Sequence, residues 1–252
     1  MRLKGKVAVV TGAGAGIGRA VALRFAAEGA AVVIAEIDGR SGQATVEAIQ
    51  RSEGVALLAQ ADVSNEDDVK AMVDAASNRF GQIDVLFNNA AVLLHTQEAR
   101  AHELTNETWD RTIAVNLRGY WLCSKYVIPQ MLRQRRGSII HVASPTGMRG
   151  FARLTAYSTS KGGVFALSRA MASDYASDNI RVNAIVPGTI DTPMNAPELA
   201  NEESRQRFIA RALAGRLGTP EDICGLAVFL ASDESAYCFG GVYMVDGGLT
   251  AI

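Results

Sequence analysis

Residues 7–18 read Val7-Ala8-Val9-Val10-Thr11-Gly12-Ala13-Gly14-Ala15-Gly16-Ile17-Gly18, and a helical pattern continues from Arg19 to Glu28. A short apolar run, a glycine loop and a helix start follow one another without a break. That order is the opening of a β–α–β unit. Glycine, lacking a Cβ, lets the backbone turn tightly and lets a ligand come close. The N–H groups at the helix start then face an anion. The pyrophosphate of a dinucleotide suits that arrangement. The spacing is not G-x-G-x-x-G: counted from Gly12 the third glycine would be Ile17, and counted from Gly14 it would be Arg19. The pattern that fits is T-G-x-x-x-G-x-G, carried by Thr11, Gly12, Gly16 and Gly18. Such a cluster also serves ordinary strand–helix turns, so its surroundings decide its meaning.

Working outward, apolar β-branched runs alternate with helical patterns. Strands are predicted at Val7–Val10, Ala31–Ala35, Ala56–Ala59, Val85–Phe87, Ser138–Val142, Val182–Val186 and Val242–Val245. Helical patterns cover about 16–28, 40–52, 66–80, 106–135, 156–177 and 220–231. Repeated β–α alternation predicts an α/β fold, a doubly wound parallel sheet of about seven strands with helices on both faces. The strands are almost continuously apolar, as expected when both faces are covered. No linker or repeat divides the chain, so residues 1–252 are read as one domain. The stretch from Pro187 to about Glu203, with Pro187, Gly188, Pro193, Pro197 and Met194, is read as a long loop and a candidate lid.

Composition removes several classes of function. A net charge of −1 over 252 residues leaves no nucleic-acid footprint. No apolar run approaches the ~20 residues of a membrane span. Cys123, Cys224 and Cys238 are widely spaced and odd in number, which points to reduced thiols rather than disulfides or a metal site. Met1–Lys6 is polar and Val7–Val10 is too short for the apolar core of a leader, so a cytoplasmic setting is expected.

In an open α/β sheet ligands bind beyond the carboxyl ends of the strands. After the second strand stands Glu36, an acid able to accept from ribose hydroxyls and to repel a 2′-phosphate, which favours NAD over NADP. Asp38 is close enough to compete for that role, and Arg19 and Arg40 could instead welcome a phosphate. After the third strand, Asp62 and Val63 suit the edge and face of an adenine. After the fourth come Asn88, Asn89, Ala90 and Ala91, whose amides either tie loops together or touch a ligand. After the fifth comes Ser144, and the next helix carries Tyr157 and Lys161, four residues apart and so on one face. A tyrosine facing a lysine ammonium has its phenolate favoured and its pKa lowered from about 10. Beside a hydroxyl donor it can act as a general acid/base. After the sixth strand, Pro187 and Gly188 fix a sharp exit, followed by Thr189, Ile190 and Thr192 at the height of a nicotinamide.

Taken together these residues resemble the classical short-chain dehydrogenase/reductase family over nearly the whole chain. The resemblance is carried by Thr11-Gly12-x-x-x-Gly16-x-Gly18, Asn88-Asn89-Ala90, Asn116, Ser144, Tyr157-x-x-x-Lys161, Asn183 with Pro187-Gly188, and Val245-Asp246-Gly247-Gly248. It implies a Rossmann-like domain that transfers hydride between a nicotinamide cofactor and a small-molecule alcohol or ketone. In that analogy Tyr157 is the acid/base, Ser144 binds the substrate oxygen, and Lys161 tunes Tyr157 and contacts the nicotinamide ribose. Asn116 helps hold a relay water near Lys161. The implied cofactor-binding set is Gly12, Gly16, Ile17, Gly18, Glu36, Asp62, Val63, Asn89, Ala90, Tyr157, Lys161, Pro187, Ile190 and Thr192, with the Ile190 backbone and Thr192 on the carboxamide. A homotetramer, or a homodimer, is also implied. The sequence departs from the family pattern at Ala91, where glycine is usual, and at Glu36, where aspartate is commoner.

Three functional readings follow: an NAD-dependent oxidoreductase of secondary alcohols, an NADPH-dependent ketone reductase such as a 3-oxoacyl reductase, and a nucleotide-binding protein without turnover. The last has no need of Asn116, Ser144, Tyr157 and Lys161 together. Ser158-x-x-Lys161 with Ser177-Asp178-Asn179 suggests an acyl-serine enzyme, but no Lys-Thr-Gly accompanies it. Pocket candidates are Ala91, Leu93, Pro145, Thr146, Met148, Arg149, Phe151, Met194 and Phe208; Arg149 and Arg153 are read as solvated charges, with binding of an acidic substrate group as the alternative. His141 is read as a core residue, His102 as a surface residue, and His95 as a surface residue that could instead reach a pocket. Trp109, Tyr120 and Trp121 are read as core or subunit packing.

Overall fold

The computed structural model describes residues 1–251. Seven strands form one sheet: β1 (Val7–Thr11), β2 (Ala31–Glu36), β3 (Val55–Gln60), β4 (Val85–Asn88), β5 (Gly137–Val142), β6 (Ile180–Pro187) and β7 (Val242–Val245). Their order is β3-β2-β1-β4-β5-β6-β7, and every neighbouring pair is parallel. Val9 pairs with Val33 of β2 on one side and Leu86 of β4 on the other. The winding reverses between β1 and β4, so the loops leaving these strands diverge and open a crevice at the carboxyl edge.

Parallel pairing requires crossovers, and helices supply them. They are α1 (Gly16–Ala27), α2 (Gly39–Arg51), α3 (Glu66–Phe80), α4 (Asn106–Ile113), α5 (Gly119–Gln134), α6 (Thr155–Tyr175), α7 (Ala196–Leu199), α8 (Glu202–Ala210) and α9 (Pro220–Ala231). Local sequence sets their ends. The Asn65 side chain accepts from the amides of Asp67 and Asp68 at the start of α3, and Gly81, at φ +75°, closes it.

Both faces of the sheet are packed. Side chains alternate along β1, so Val10 joins Val21, Phe25, Val32, Ile34 and Phe87 beneath α1 and α9. Val9 joins Val33, Leu86, Leu122, Val127 and Met131 beneath α3 and α5. Phe25 and Phe87 meet edge to face, with centroids 6.0 Å apart. Burying each such ring contributes about 1.5–3 kcal/mol. Tyr120 is core, as one of the two packing readings had it, whereas Trp109 and Trp121 are exposed on α4 and α5. All three cysteines are free thiols. No helix among the described residues is long and apolar enough to cross a membrane.

Two predicted boundaries give way. The helix expected over 106–135 is interrupted by a π-helical turn at Ala114–Arg118, between α4 and α5. The expected lid loop contains α7, and α8 follows it, capped by the Asn201 side chain, which accepts from the Ser204 amide. Proline-rich sequence masked α7. The Asn201-Glu202-Glu203 start of α8 is a recognisable N-terminal signal.

Candidate active site

A cleft of about 830 Å³ crosses the carboxyl edge of the sheet. Gly12, Gly16, Ile17, Glu36, Asp62, Val63, Asn89, Ala90, Ser144, Tyr157, Lys161, Pro187, Ile190 and Thr192 all line it. The structure thus brings the expected site residues to one surface, except Asn116 and Gly18, which support it from behind.

At one end, α1 begins at Gly16 with no side-chain cap. Its first-turn amides therefore remain available to an anion at the cleft wall. Gly18 is buried behind the loop, where any Cβ would run into the Gly12 carbonyl oxygen. The residues present fit a dinucleotide pyrophosphate on this ground.

Glu36 ends β2, and its carboxylate is held by three backbone amides. Oε2 accepts from Gly14 (2.9 Å) and Oε1 from Ile37 (2.9 Å) and Asp38 (3.2 Å). The acid thus organises the glycine loop besides facing the cleft, a role the sequence did not suggest. The competing Asp38 is exposed and occupied, its carboxylate capping α2 through the Arg40 amide. Neither Arg19 nor Arg40 is among the cleft-lining residues.

The Asp62 carboxylate accepts from Ser64 (amide at 2.9 Å, hydroxyl at 2.6 Å) and from Arg111 (3.2 Å). These partners hold it below the ordinary aspartate range despite the opposing effect of burial. The asparagines tie loops together, and Asn89 also lines the cleft. Asn89 Nδ2 donates to the carbonyls of Thr11 and Gly12 (3.0 and 3.1 Å), and its amide donates to the Thr11 hydroxyl. Asn88 is buried beneath, with Nδ2 on Ser124. Ala91 stands where glycine is usual without a positive φ, so its Cβ brings no backbone strain.

At the other end, Ser144 follows β5 and Tyr157 and Lys161 project from α6. The Ser144 hydroxyl accepts from the amide and hydroxyl of Thr146 (3.3 and 3.0 Å). Gly147 lets this turn lie against α6, since a Cβ there would be 2.5 Å from the Lys161 carbonyl carbon. Lys161 Nζ donates to the Val142 carbonyl (2.8 Å) and the Tyr120 hydroxyl (3.4 Å), and lies 5.8 Å from the Tyr157 ring centre.

The expected lowering of the Tyr157 pKa is overturned for the protein's own field. Burial pushes the phenol up to about 12, with the Ser144 hydroxyl opposing, and pushes Lys161 down to about 7. Desolvation of each charged form outweighs their attraction at this separation.

Asn116 lies in the π-helical turn. Its side chain clamps the Val92 backbone, accepting from the amide (2.8 Å) and donating to the carbonyl (2.9 Å), and also donates to Ser160 (3.2 Å). No direct hydrogen bond joins it to Lys161. On the lid, Asn195 Nδ2 donates to the Ile190 carbonyl (2.8 Å). The Thr192 methyl lies 3.2 Å from where a Gly16 Cβ would be, so the lid closes on the glycine loop.

Of the pocket candidates, Ala91, Leu93, Pro145, Thr146, Phe151, Met194 and Phe208 line the cleft. Met148 and Arg149 do not; Arg149 is exposed and donates to the Leu249 carbonyl (3.0 Å). His141 is core, as expected: its Nδ1 is 2.9 Å from the Ser168 hydroxyl, and burial pushes its pKa down to about 3. His102 is on the surface, as expected. His95 is not: it lines the cleft and donates from Nε2 to the Met194 carbonyl of the lid (2.9 Å). The sequence also gave no hint of Glu98, whose buried carboxylate meets the start of α6. Arg153 and Arg211 line the cleft, and neither makes a side-chain ion pair or hydrogen bond among the described residues.

Comparison with known proteins places the chain among oxidoreductases. A family model described as enoyl-(acyl carrier protein) reductase matches residues 12–250. The chain is 40% identical to a 3-oxoacyl-[acyl-carrier-protein] reductase of Thermotoga maritima, over 99% of each chain. It is 40% identical to a cis-4-hydroxycyclohexanecarboxylate dehydrogenase of Sinomonas cyclohexanicum, over 98% of this chain and 97% of that one. Among solved structures, a candidate NAD(P)-dependent gluconate 5-dehydrogenase from Beutenbergia cavernae, with NADP bound at low occupancy, superimposes with a TM-score of 0.94. It is 36% identical over 99% of this chain and 98% of that one.

Proposed function

The chain belongs to the short-chain dehydrogenase/reductase family, oxidoreductases that use a nicotinamide cofactor on CH–OH groups, and on that premise we propose that it oxidises a secondary alcohol with NAD, Tyr157 acting as the general acid/base. The observation that carries the reading is the meeting of Ser144, Tyr157 and Lys161 at one end of a cleft whose other end is the glycine loop.

The bound nicotinamide supplies the hydride acceptor. The Ser144 hydroxyl hydrogen-bonds the substrate oxygen and orients it toward Tyr157. Tyr157, as phenolate, takes the hydroxyl proton; in reduction, as phenol, it returns one. A protonated Lys161 favours the phenolate electrostatically, opposing the effect of burial. Asn116 fixes the floor through Val92, and the lid from Ile190 to Phe208 limits water access.

Glu36 supports NAD over NADP. Three backbone amides fix its carboxylate at the end of β2, so it cannot easily swing away from a 2′-phosphate. The NADPH-dependent reductase reading draws on the 3-oxoacyl reductase relative and the neighbour with bound NADP, and Glu36 argues against it. At the substrate end, Arg153 and Arg211 favour an alcohol that carries an acidic group, a class to which the cyclohexanecarboxylate relative's substrate belongs. Exposed Trp109 and Trp121 supply an apolar face for a homotetramer or homodimer.

The test is absorbance of reduced nicotinamide with NAD and, separately, NADP, across secondary alcohols, sugars and hydroxy acids. Reduction of NAD by one class supports the reading. Cofactor binding with no turnover across the panel would move weight to a nucleotide-binding protein.

A further inference from the structure

The first turn of α6 has an unusual partner. A helix leaves its leading N–H groups without intrahelical acceptors. Leu154, at the N-cap of α6, provides no side-chain bond. Two of those amides are met instead from far along the chain. Glu98 accepts from Tyr157 N at 2.7 Å through Oε1 and from Ala156 N at 3.2 Å through Oε2. The carboxylate is 6% exposed, lies at a helix N-terminus where negative charge is favoured, and forms part of the cleft wall. Next to it, the Thr155 hydroxyl donates to the Ala99 carbonyl at 3.0 Å. The segment after β4 is thereby fastened to the residue proposed as acid/base and to the two before it.

The same segment reaches the lid. His95, three residues before Glu98, donates to the Met194 carbonyl at 2.9 Å, and its Nδ1 is 3.5 Å from Glu198. One short connection therefore holds the lid at one end and the start of the catalytic helix at the other.

We infer that Glu98 is the positioning residue for Tyr157: its buried carboxylate fixes the first turn of α6 and so sets where the Tyr157 phenol stands relative to Ser144 and Lys161. This rests on Tyr157 being the acid/base. Glu98 touches the backbone of Tyr157 and not the reacting atoms. Its loss therefore displaces the phenol without altering the glycine loop at the far end of the cleft. A misplacement of about 1 Å in a reacting group lowers turnover on the order of a hundredfold.

The experiment compares Glu98→Ala, Glu98→Gln and Glu98→Asp in the full-length protein, with Tyr157→Phe as a control. Steady-state kinetics are corrected for the folded fraction, and cofactor affinity is read by fluorescence. Glu98→Ala is expected to lower kcat ten- to a hundredfold with cofactor affinity within twofold of wild type. Glu98→Gln keeps the length and one acceptor oxygen, enough for the Tyr157 amide, but sets an NH2 donor against the Ala156 amide; its kcat is expected to lie between those of the Ala variant and the wild type. Glu98→Asp keeps the charge but withdraws it by one methylene, and is expected to fall at least fivefold below wild type. If the alanine variant does not fold, the Asp variant decides. Wild-type kcat per folded molecule in the Asp or Ala variant overturns the inference. Failure of the underlying reading is seen separately, as a Tyr157→Phe protein that still turns over normally.

Discussion

Lys161 Nζ lies 5.8 Å from the centre of the Tyr157 ring, one helical turn away, and donates to the Val142 carbonyl at 2.8 Å. Two buried groups, each driven by burial toward its neutral form, thus share one pocket. Burial moves the lysine from its ordinary 10.5 down to about 7. The unfolded chain keeps the ordinary value, so between pH 7 and 10.5 it binds a proton that the native protein does not. Stability contributed at this site therefore rises with pH across that window, and the full burial penalty applies below pH 7. Lys161→Met removes the penalty. The cofactor-free variant is expected to melt several degrees above wild type at pH 6 and to converge with it near pH 10. Calorimetry at the two pH values checks this, and a constant offset would contradict it.

The same substitution should have the opposite effect on turnover. The cofactor-free protein holds Lys161 largely neutral above about pH 7; the proposed mechanism requires the loaded enzyme to hold it as an ammonium, and Lys161→Met removes that support from the Tyr157 phenolate. The rising limb of kcat/KM against pH in alcohol oxidation should then shift upward by at least one unit. An unchanged pH profile would remove Lys161 from the chemistry.

Glu36 joins two functions in one carboxylate: it is aimed at the cleft and it holds the Gly14 amide at 2.9 Å. Glu36→Ala is expected to weaken NAD binding, because the glycine loop loses its acceptor. It is also expected to raise the NADP:NAD ratio of kcat/KM at least tenfold, equivalent to about 1.4 kcal/mol. Cofactor kinetics measure both. A ratio that stays put would show that Glu36 does not select the cofactor.

Gly147 is a packing requirement with a catalytic consequence. A Cβ would be 2.5 Å from the Lys161 carbonyl carbon and 2.6 Å from the Gly162 nitrogen, both backbone atoms that cannot turn aside. Gly147→Ala should push the Ser144 turn off α6, lower stability by about 1–3 kcal/mol, and reduce kcat at least tenfold. Denaturant midpoints and kinetics test the two effects. A neutral substitution would place the turn elsewhere.

Arg211 tests the substrate class. Arg211→Gln is expected to raise KM at least fivefold for an alcohol that carries a carboxylate. KM for its methyl ester should stay unchanged. Equal effects on both would mean that the arginine recognises no acidic group.

The parallel sheet was legible because its strands are nearly unbroken apolar runs, and each predicted strand lies within the observed one. The line of cleft residues from Gly12 to Thr192 was legible for a related reason: strand ends in this architecture share one edge. What escaped depends on contacts with no local period. Glu98 meets Tyr157 across 59 residues, and His95 meets Met194 across 99. The π-helical turn at Ala114–Arg118 leaves no trace in an apolar pattern that continues through it. For the Tyr157 pKa, helical spacing reveals proximity to Lys161 but not burial, and burial is the larger effect here.

The most direct test of the central claim is turnover of Tyr157→Phe with NAD and the preferred secondary alcohol. Phenylalanine keeps the ring and removes only the hydroxyl. The expected result is a fall in kcat of about 10²–10⁴-fold with cofactor affinity intact. Turnover within a few-fold of wild type would contradict the assignment of Tyr157 as the acid/base.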